Sequence, residues 1–341
     1  METKNLLFDL TSKVGISGFE QSFSQYVKNL FAPFCDIVEI DKLGNVIAVI
    51  NPNADGKTLM LEAHLDEIGL IVTGIKETGR IHFESIGGID PAILPASEVT
   101  IHGTSEVYGV IGAKPPHLQT KEEEKVQYKL NDLYIDVGMP YEKIKNLIRI
   151  GDVISFRAKC LSLMNHVVSS KSIDNRAGIA ILIACAKQLK GRSDIGTIVF
   201  LASVQEEVGM RGATVGAYSM KPDIAVAIDV THGITPMVTA SEGFPLGSGC
   251  AIAVGPNIDT NLANLLIKIA KKNQIPYTIE VCAGDTGTDA WVIQVQAGGI
   301  PTGLLSVPLK YMHSHIETAD MDDIDHTIDL LCLLAKEDFI C

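Results

Sequence analysis

The sequence predicts an α/β protein with a helix-covered sheet, interrupted by a small all-β module. Three observations carry this. Long apolar strand-like runs alternate with helical periodicity at both ends of the chain. The stretch from about Ile68 to Phe156 changes to short β-rich segments broken by Gly and Pro. Alternation then resumes from Asp174.

Apolar residues at helical spacing mark Lys4–Val14 and Glu20–Phe34, separated by the break Gly15-Ile16-Ser17-Gly18. Strand-like runs follow at Asp36–Ile40, Val46–Ile50 and Thr58–Ala63. In the β module, Gly87-Gly88-Ile89-Asp90-Pro91 and Lys114-Pro115-Pro116 punctuate the strands, and Gln119–Lys125 reads as a solvated, mobile surface loop. The second half predicts a helix over Ala177–Leu189, strands at Gly196–Ser203 and Ile224–Asp229, and a helix over Thr260–Lys272. It ends with strands at Tyr277–Cys282 and Thr302–Ser306 and a helix from Asp322. The two α/β parts rejoin near residue 165.

The 341 residues are 46% hydrophobic and 20% charged, enough to bury a large core. A net charge of -13 with no basic run argues against nucleic acid or an anionic membrane as partner. Neither a signal-peptide pattern nor an apolar span of membrane length is present. Seven scattered cysteines without a CxxC pair fit reduced thiols in a cytoplasmic protein.

Five segments bring potential metal ligands to element ends. In Leu61–Gly69, alternate strand residues share a side, so Asp66 can orient the imidazole of His64. By itself this spacing also describes a structural His–Asp pair. Asp174 stands just before a helix, where an N-cap stands, yet a carboxylate can also bridge two cations about 3.5–4 Å apart. Glu206 and Glu207 follow the apolar run Ile198–Ala202; one can ligate a metal while the other holds a water, or both can be loop residues. Asp229 ends another apolar strand, and His313 follows the run Leu304–Val307. In open α/β sheets ligands gather at the carboxyl ends of strands. Oxygen and imidazole donors without cysteine suit zinc, cobalt or manganese at a hydrolytic site.

In this order the segments resemble the M42 metallo-aminopeptidases, which form tetrahedral particles. The resemblance runs through AHLDEIG (Ala63–Gly69), AKPPHL (Ala113–Leu118), DNRAG (Asp174–Gly178), QEEVGMRGA (Gln205–Ala213), AIDV (Ala227–Val230), GTDAW (Gly287–Trp291) and YMHS (Tyr311–Ser314). It implies a zinc-peptidase-like catalytic domain made of 1–69 and 166–341, with a PDZ-like or barrel dimerisation domain at 70–165. It further implies two divalent metal ions per subunit, with Asp174 as bridge, His64 and Asp229 completing one site and Glu207 and His313 the other. Glu206 becomes the general base and Asp66 the partner of His64. The substrates implied are peptides with free N-termini, and the assembly a homo-oligomer from dimer to dodecamer.

Two positions depart from the family pattern. His315 stands where proline is frequent and is expected to be neutral and hydrogen-bonded. Ser248 stands where lysine is frequent, which bears on substrate preference. Gly287-Thr288-Asp289 is expected near the site, with Asp289 as an alternative helix cap. A two-metal carboxypeptidase or deacylase is the rival reading and needs a cation for the substrate carboxylate. Relatives have also been labelled endoglucanases. A glycosidase needs two metal-free carboxylates, and its clefts favour aromatic platforms, whereas this chain has one tryptophan.

Overall fold

The computed structural model describes residues 2–121, 126–236 and 238–337. The core of the charged run, residues 122–125, lies outside the described residues, as does Cys341. Among the described residues, eleven strands form one sheet and six more close a barrel.

The centre of the sheet is parallel. Thr197–Ser203, Thr58–His64, Ile224–His232 and Thr302–Lys310 lie side by side in that order, with Ser203 opposite His64 and Asp229 opposite Ser306. Antiparallel strands flank them: Ile37–Ile40 and Val46–Ile50 at one edge, Glu317–Asp320, Val167–Ser170 and Leu161–Ser162 at the other. Cys250–Val254 pairs with both Thr302–Lys310 and Tyr277–Val281.

The central strands are buried along nearly their whole length. This explains their unbroken apolar runs, since helices cover both faces. One face carries Thr3–Thr11, Gln21–Phe31, Ile173–Leu189 and Met321–Leu334, packing Leu10, Phe31, Ile181 and Leu331 into the larger core. The other carries Arg211–Met220 and Ala290–Ile293, whose small residues Ala213, Ala217 and Ala290 allow close approach to Leu201 and Ala225.

The inserted barrel runs from Gly69–Ile75 to Val153–Phe156, closed by the pairing of Leu70 with Ile154. It has a separate core of Leu70, Phe83, Ile101, Ile135 and Ile154. It is not purely β: Tyr141–Leu147 is helical and drives Ile144 into the barrel core. Leu161–Ser162 already belongs to the main sheet.

Two strands outrun the lengths read from sequence. Ile224–His232 continues three residues past Asp229, because Val230–His232 keep their register with Val307–Leu309. Thr302–Lys310 likewise passes through Pro308. Asp229 is therefore an interior strand residue and not a strand end. Among the described residues, no helix is long and apolar enough to cross a membrane.

Candidate metal centre

Helix Ile173–Leu189 begins irregularly: Asp174 and Asn175 have non-helical backbone angles. The alternative of a helix cap at Asp174 does not hold, because Asn175 does the capping. Its Oδ1 accepts the Gly178 N–H at 3.0 Å, and its Nδ2 donates to the Ile228 carbonyl at 2.7 Å. The cap thereby ties the helix start to the strand that carries Asp229. The Asp174 carboxylate is left free to face the other ligands.

That carboxylate addresses two sides at once. Oδ1 lies 3.1 Å from His64 Nε2, and Oδ2 lies 3.4 Å from His313 Nε2. Asp229 Oδ1 stands 3.8 Å from His64 Nε2, and Glu207 Oε1 3.5 Å from His313 Nε2. Donor atoms of His64, Asp174 and Glu207 lie within 4.8 Å of one another, so the group can hold a metal ion. Asp66 sits beside His64, with Oδ1 3.5 Å from Nδ1. Its two oxygens also accept the backbone N–H groups of Glu206 (3.1 Å) and Glu207 (3.2 Å). One buried carboxylate thus positions the imidazole and the glutamate turn together. Glu206 lines the cavity over the cluster, whose volume is about 500 Å³.

The electrostatics fit cations. Burial pushes Glu206 up to about 10 and Glu207 up to about 8, and neighbouring carboxylates push the same way. Burial also holds Asp229 well above its usual range, with Asp174 adding to the effect. Asp174 is the exception: although burial would raise it, hydrogen bonds to His313 and His64 hold it below the usual range. Burial alone would lower His64, yet Asp174 and Asp66 raise it well above the ordinary value; Asp174 raises His313 to about 9. A buried cluster this rich in carboxylates must take up protons or metal ions at neutral pH. Oxygen and imidazole donors match divalent zinc, cobalt or manganese.

A family model described as M42 glutamyl aminopeptidase matches residues 44–330. The chain belongs to the M42 peptidase family. It is similar to the lysyl aminopeptidase of Pyrococcus furiosus, with 35% identity over 97% of this chain and 96% of the relative. A putative aminopeptidase of Acetivibrio thermocellus is 37% identical over 95% of this chain and 97% of its own length. The TET1 peptidase of Pyrococcus horikoshii, described as assembling into a tetrahedron or a large octahedral shell, superposes with a TM-score of 0.87. That likeness comes with 33% identity and covers 98% of this chain and 100% of that one. This M42 peptidase is an aminopeptidase, a hydrolase of peptide bonds.

The fold of this M42 peptidase brings together all seven residues singled out from sequence: His64, Asp66, Asp174, Glu206, Glu207, Asp229 and His313. Burial lowers His315, in keeping with the expected neutral form, but the expected hydrogen bond is missing at Nδ1. Its ring stacks on barrel Phe156 at 6.0 Å, and it borders a different cavity. Ser248 donates to Pro245 O within its own turn, at 2.7 Å.

Sequence reasoning missed three supports. Glu317 accepts the Asp174 N–H at 3.0 Å and the His313 N–H at 2.9 Å. Ser203 lies between Glu62 and Asp289, at 2.7 and 2.8 Å. Asp289 makes no side-chain cap, so that alternative is corrected. Glu67 pairs with Lys171 and with the fully buried Arg176, and accepts from Ser172. The available signal was a charged residue inside an apolar run, as at Glu62 and Glu67.

Proposed function

We propose that this aminopeptidase removes single residues from the free N-termini of peptides with the help of two divalent metal ions. The observation that supports it best is the division of Asp174, one oxygen toward His64 and the other toward His313. Asp174 would hold both ions, with His64 and Asp229 on one side and Glu207 and His313 on the other. Bound there, zinc, cobalt or manganese would polarise the scissile carbonyl and acidify a water molecule.

Glu206 is the group that moves the proton. Its backbone is anchored to Asp66 while its side chain faces the cavity. Burial and neighbouring carboxylates raise Glu206 when no cation is near; bound metal ions would offset that, leaving an ionised carboxylate able to accept a proton from water and return it to the leaving amine. Asp66 positions both His64 and Glu206. A carboxypeptidase would need a cation for the substrate's carboxylate, and no Lys or Arg lines the described cavity.

The inserted segment, residues 70–165, whose barrel closes with Val153–Phe156, is proposed as the dimerisation element of a homo-oligomer from dimer to dodecamer. The shell-forming habit of the P. horikoshii relative supports this. Free cysteines throughout the described residues fit a cytoplasmic protein.

The test is release of chromophore from free and N-acetylated aminoacyl-anilides after chelation and return of zinc or cobalt. Cleavage of free forms alone, restored by metal, is expected. Cleavage of acetylated forms would overturn the reading. Glu206→Gln should retain two metal ions per subunit while losing about 10²–10⁴-fold in kcat; near-normal turnover in that variant would remove Glu206 from its role.

A further inference from the structure

The cavity above the ligands has one acidic group that the chemistry does not use. Glu280, on edge strand Tyr277–Val281, lines it. Glu280 Oε1 accepts the Thr231 hydroxyl at 2.6 Å, while Oε2 is buried and has no hydrogen-bond partner. A carboxylate oxygen withdrawn from water without a donor is costly, and such groups persist where a ligand completes them. Among the described residues no Lys or Arg lines this cavity, and no ion pair to Glu280 is formed there.

Position makes Glu280 a reader of the substrate's side chain. Thr231, which holds it, lies two residues beyond Asp229 on the same strand and hence on the same face. Two strand residues span about 7 Å, a distance comparable with an extended lysine side chain. The apolar part of the cavity lining includes Val230, Leu304, Met210 and Met312. An apolar wall ending in a carboxylate suits a side chain with an aliphatic stem and a charged head. Metal ions would compensate Asp174, Glu206, Glu207 and Asp229, leaving Glu280 as the uncompensated charge facing the substrate.

We infer that the cavity selects peptides whose N-terminal residue is basic, with Glu280 as the residue that reads the charge. This rests on the aminopeptidase reading of the metal centre. An acidic N-terminal side chain would meet the like charge of Glu280, with no Lys or Arg in the lining to offset it, and is disfavoured. A neutral aliphatic residue fits the wall but leaves the carboxylate unpaired.

The experiment compares kcat/KM for lysyl-, arginyl-, leucyl- and glutamyl-anilides in the metal-loaded enzyme and in Glu280→Gln, which keeps an acceptor for Thr231. Lysyl and arginyl substrates should exceed leucyl by about tenfold or more, glutamyl should be the poorest, and the lysyl-to-leucyl ratio should fall about tenfold in Glu280→Gln. Calorimetry on Glu206→Gln supplies a readout independent of turnover: Lys-Ala should bind more tightly than Leu-Ala, and the added Glu280→Gln change should erase the difference. Cleavage of all free substrates with leucyl or glutamyl preferred, or a ratio unmoved by Glu280→Gln, overturns this inference and leaves the aminopeptidase standing. No cleavage of any free aminoacyl-anilide overturns both.

Discussion

Glu317 accepts the backbone N–H of Asp174 at 3.0 Å, across 143 residues of sequence. Its other oxygen takes the N–H of His313. A single buried carboxylate therefore sets the spacing between the carboxylate that addresses both sides of the metal centre and a histidine on one of them. Glu317→Ala should orphan the buried Asp174 N–H, costing about 1–3 kcal/mol, release the part-buried His313 N–H, and lower metal occupancy. Metal content per subunit and the denaturant midpoint check this; full occupancy with wild-type stability would show that the two N–H groups find other partners.

Removing metal should expose the repulsion among the cluster's carboxylates. The metal-free protein is expected to unfold at lower temperature, and adding zinc or cobalt should raise the midpoint in proportion to the logarithm of free metal. Glu207 and His313 are raised to about 8 and about 9 without metal, so both hold protons at pH 7. Metal binding at pH 7 should release protons and tighten as pH rises. Calorimetry in buffers of differing ionisation enthalpy reads the release directly; zero protons released would contradict the arrangement.

Glu20 supplies a pH effect away from the ligands. It is 2% exposed, its Oε1 accepts the Gly18 and Gln205 N–H groups, and burial pushes it up to about 7. A raised folded-state value means that the protonated form stabilises the fold. That contribution is fully present below the unfolded value near 4.5 and is lost as pH rises through about 7. Its size is on the order of 3 kcal/mol. Glu20→Gln, which keeps the acceptor, should flatten stability against pH across this window, and urea midpoints of the two proteins compared pH by pH measure it. Parallel curves would rule the effect out.

Gly178 is required by close approach. A Cβ there would meet Ala63 Cβ at 2.6 Å and collide with the Asn175 cap. Gly178→Ala should cost about 1–3 kcal/mol and, by moving Asp174, reduce metal affinity. The midpoint together with a metal titration checks both, and an unchanged midpoint would show that the helix can shift freely.

Local pattern carried much of this molecule. Buried parallel strands need apolar residues on both faces, so the runs before His64, Glu206 and His313 announced themselves, and so did the change of pattern at the barrel. A charged residue closing such a run is conspicuous because burial penalises it. Asp174 was visible as an acidic residue before a helix, although Asn175 does the capping.

What only the tertiary structure decided are relations between distant segments. The pairing of Glu317 with Asp174, of Ser203 with Glu62 and Asp289, and of Glu67 with Lys171 and Arg176 has no periodicity to betray it. The same holds for Glu280, an ordinary edge-strand acid until Thr231 is set beside it. Hydrophobic burial is a property of each residue and its near neighbours, and therefore legible along the chain. Charge compensation in a buried site is a property of pairs, and the chain must be folded before the partners meet.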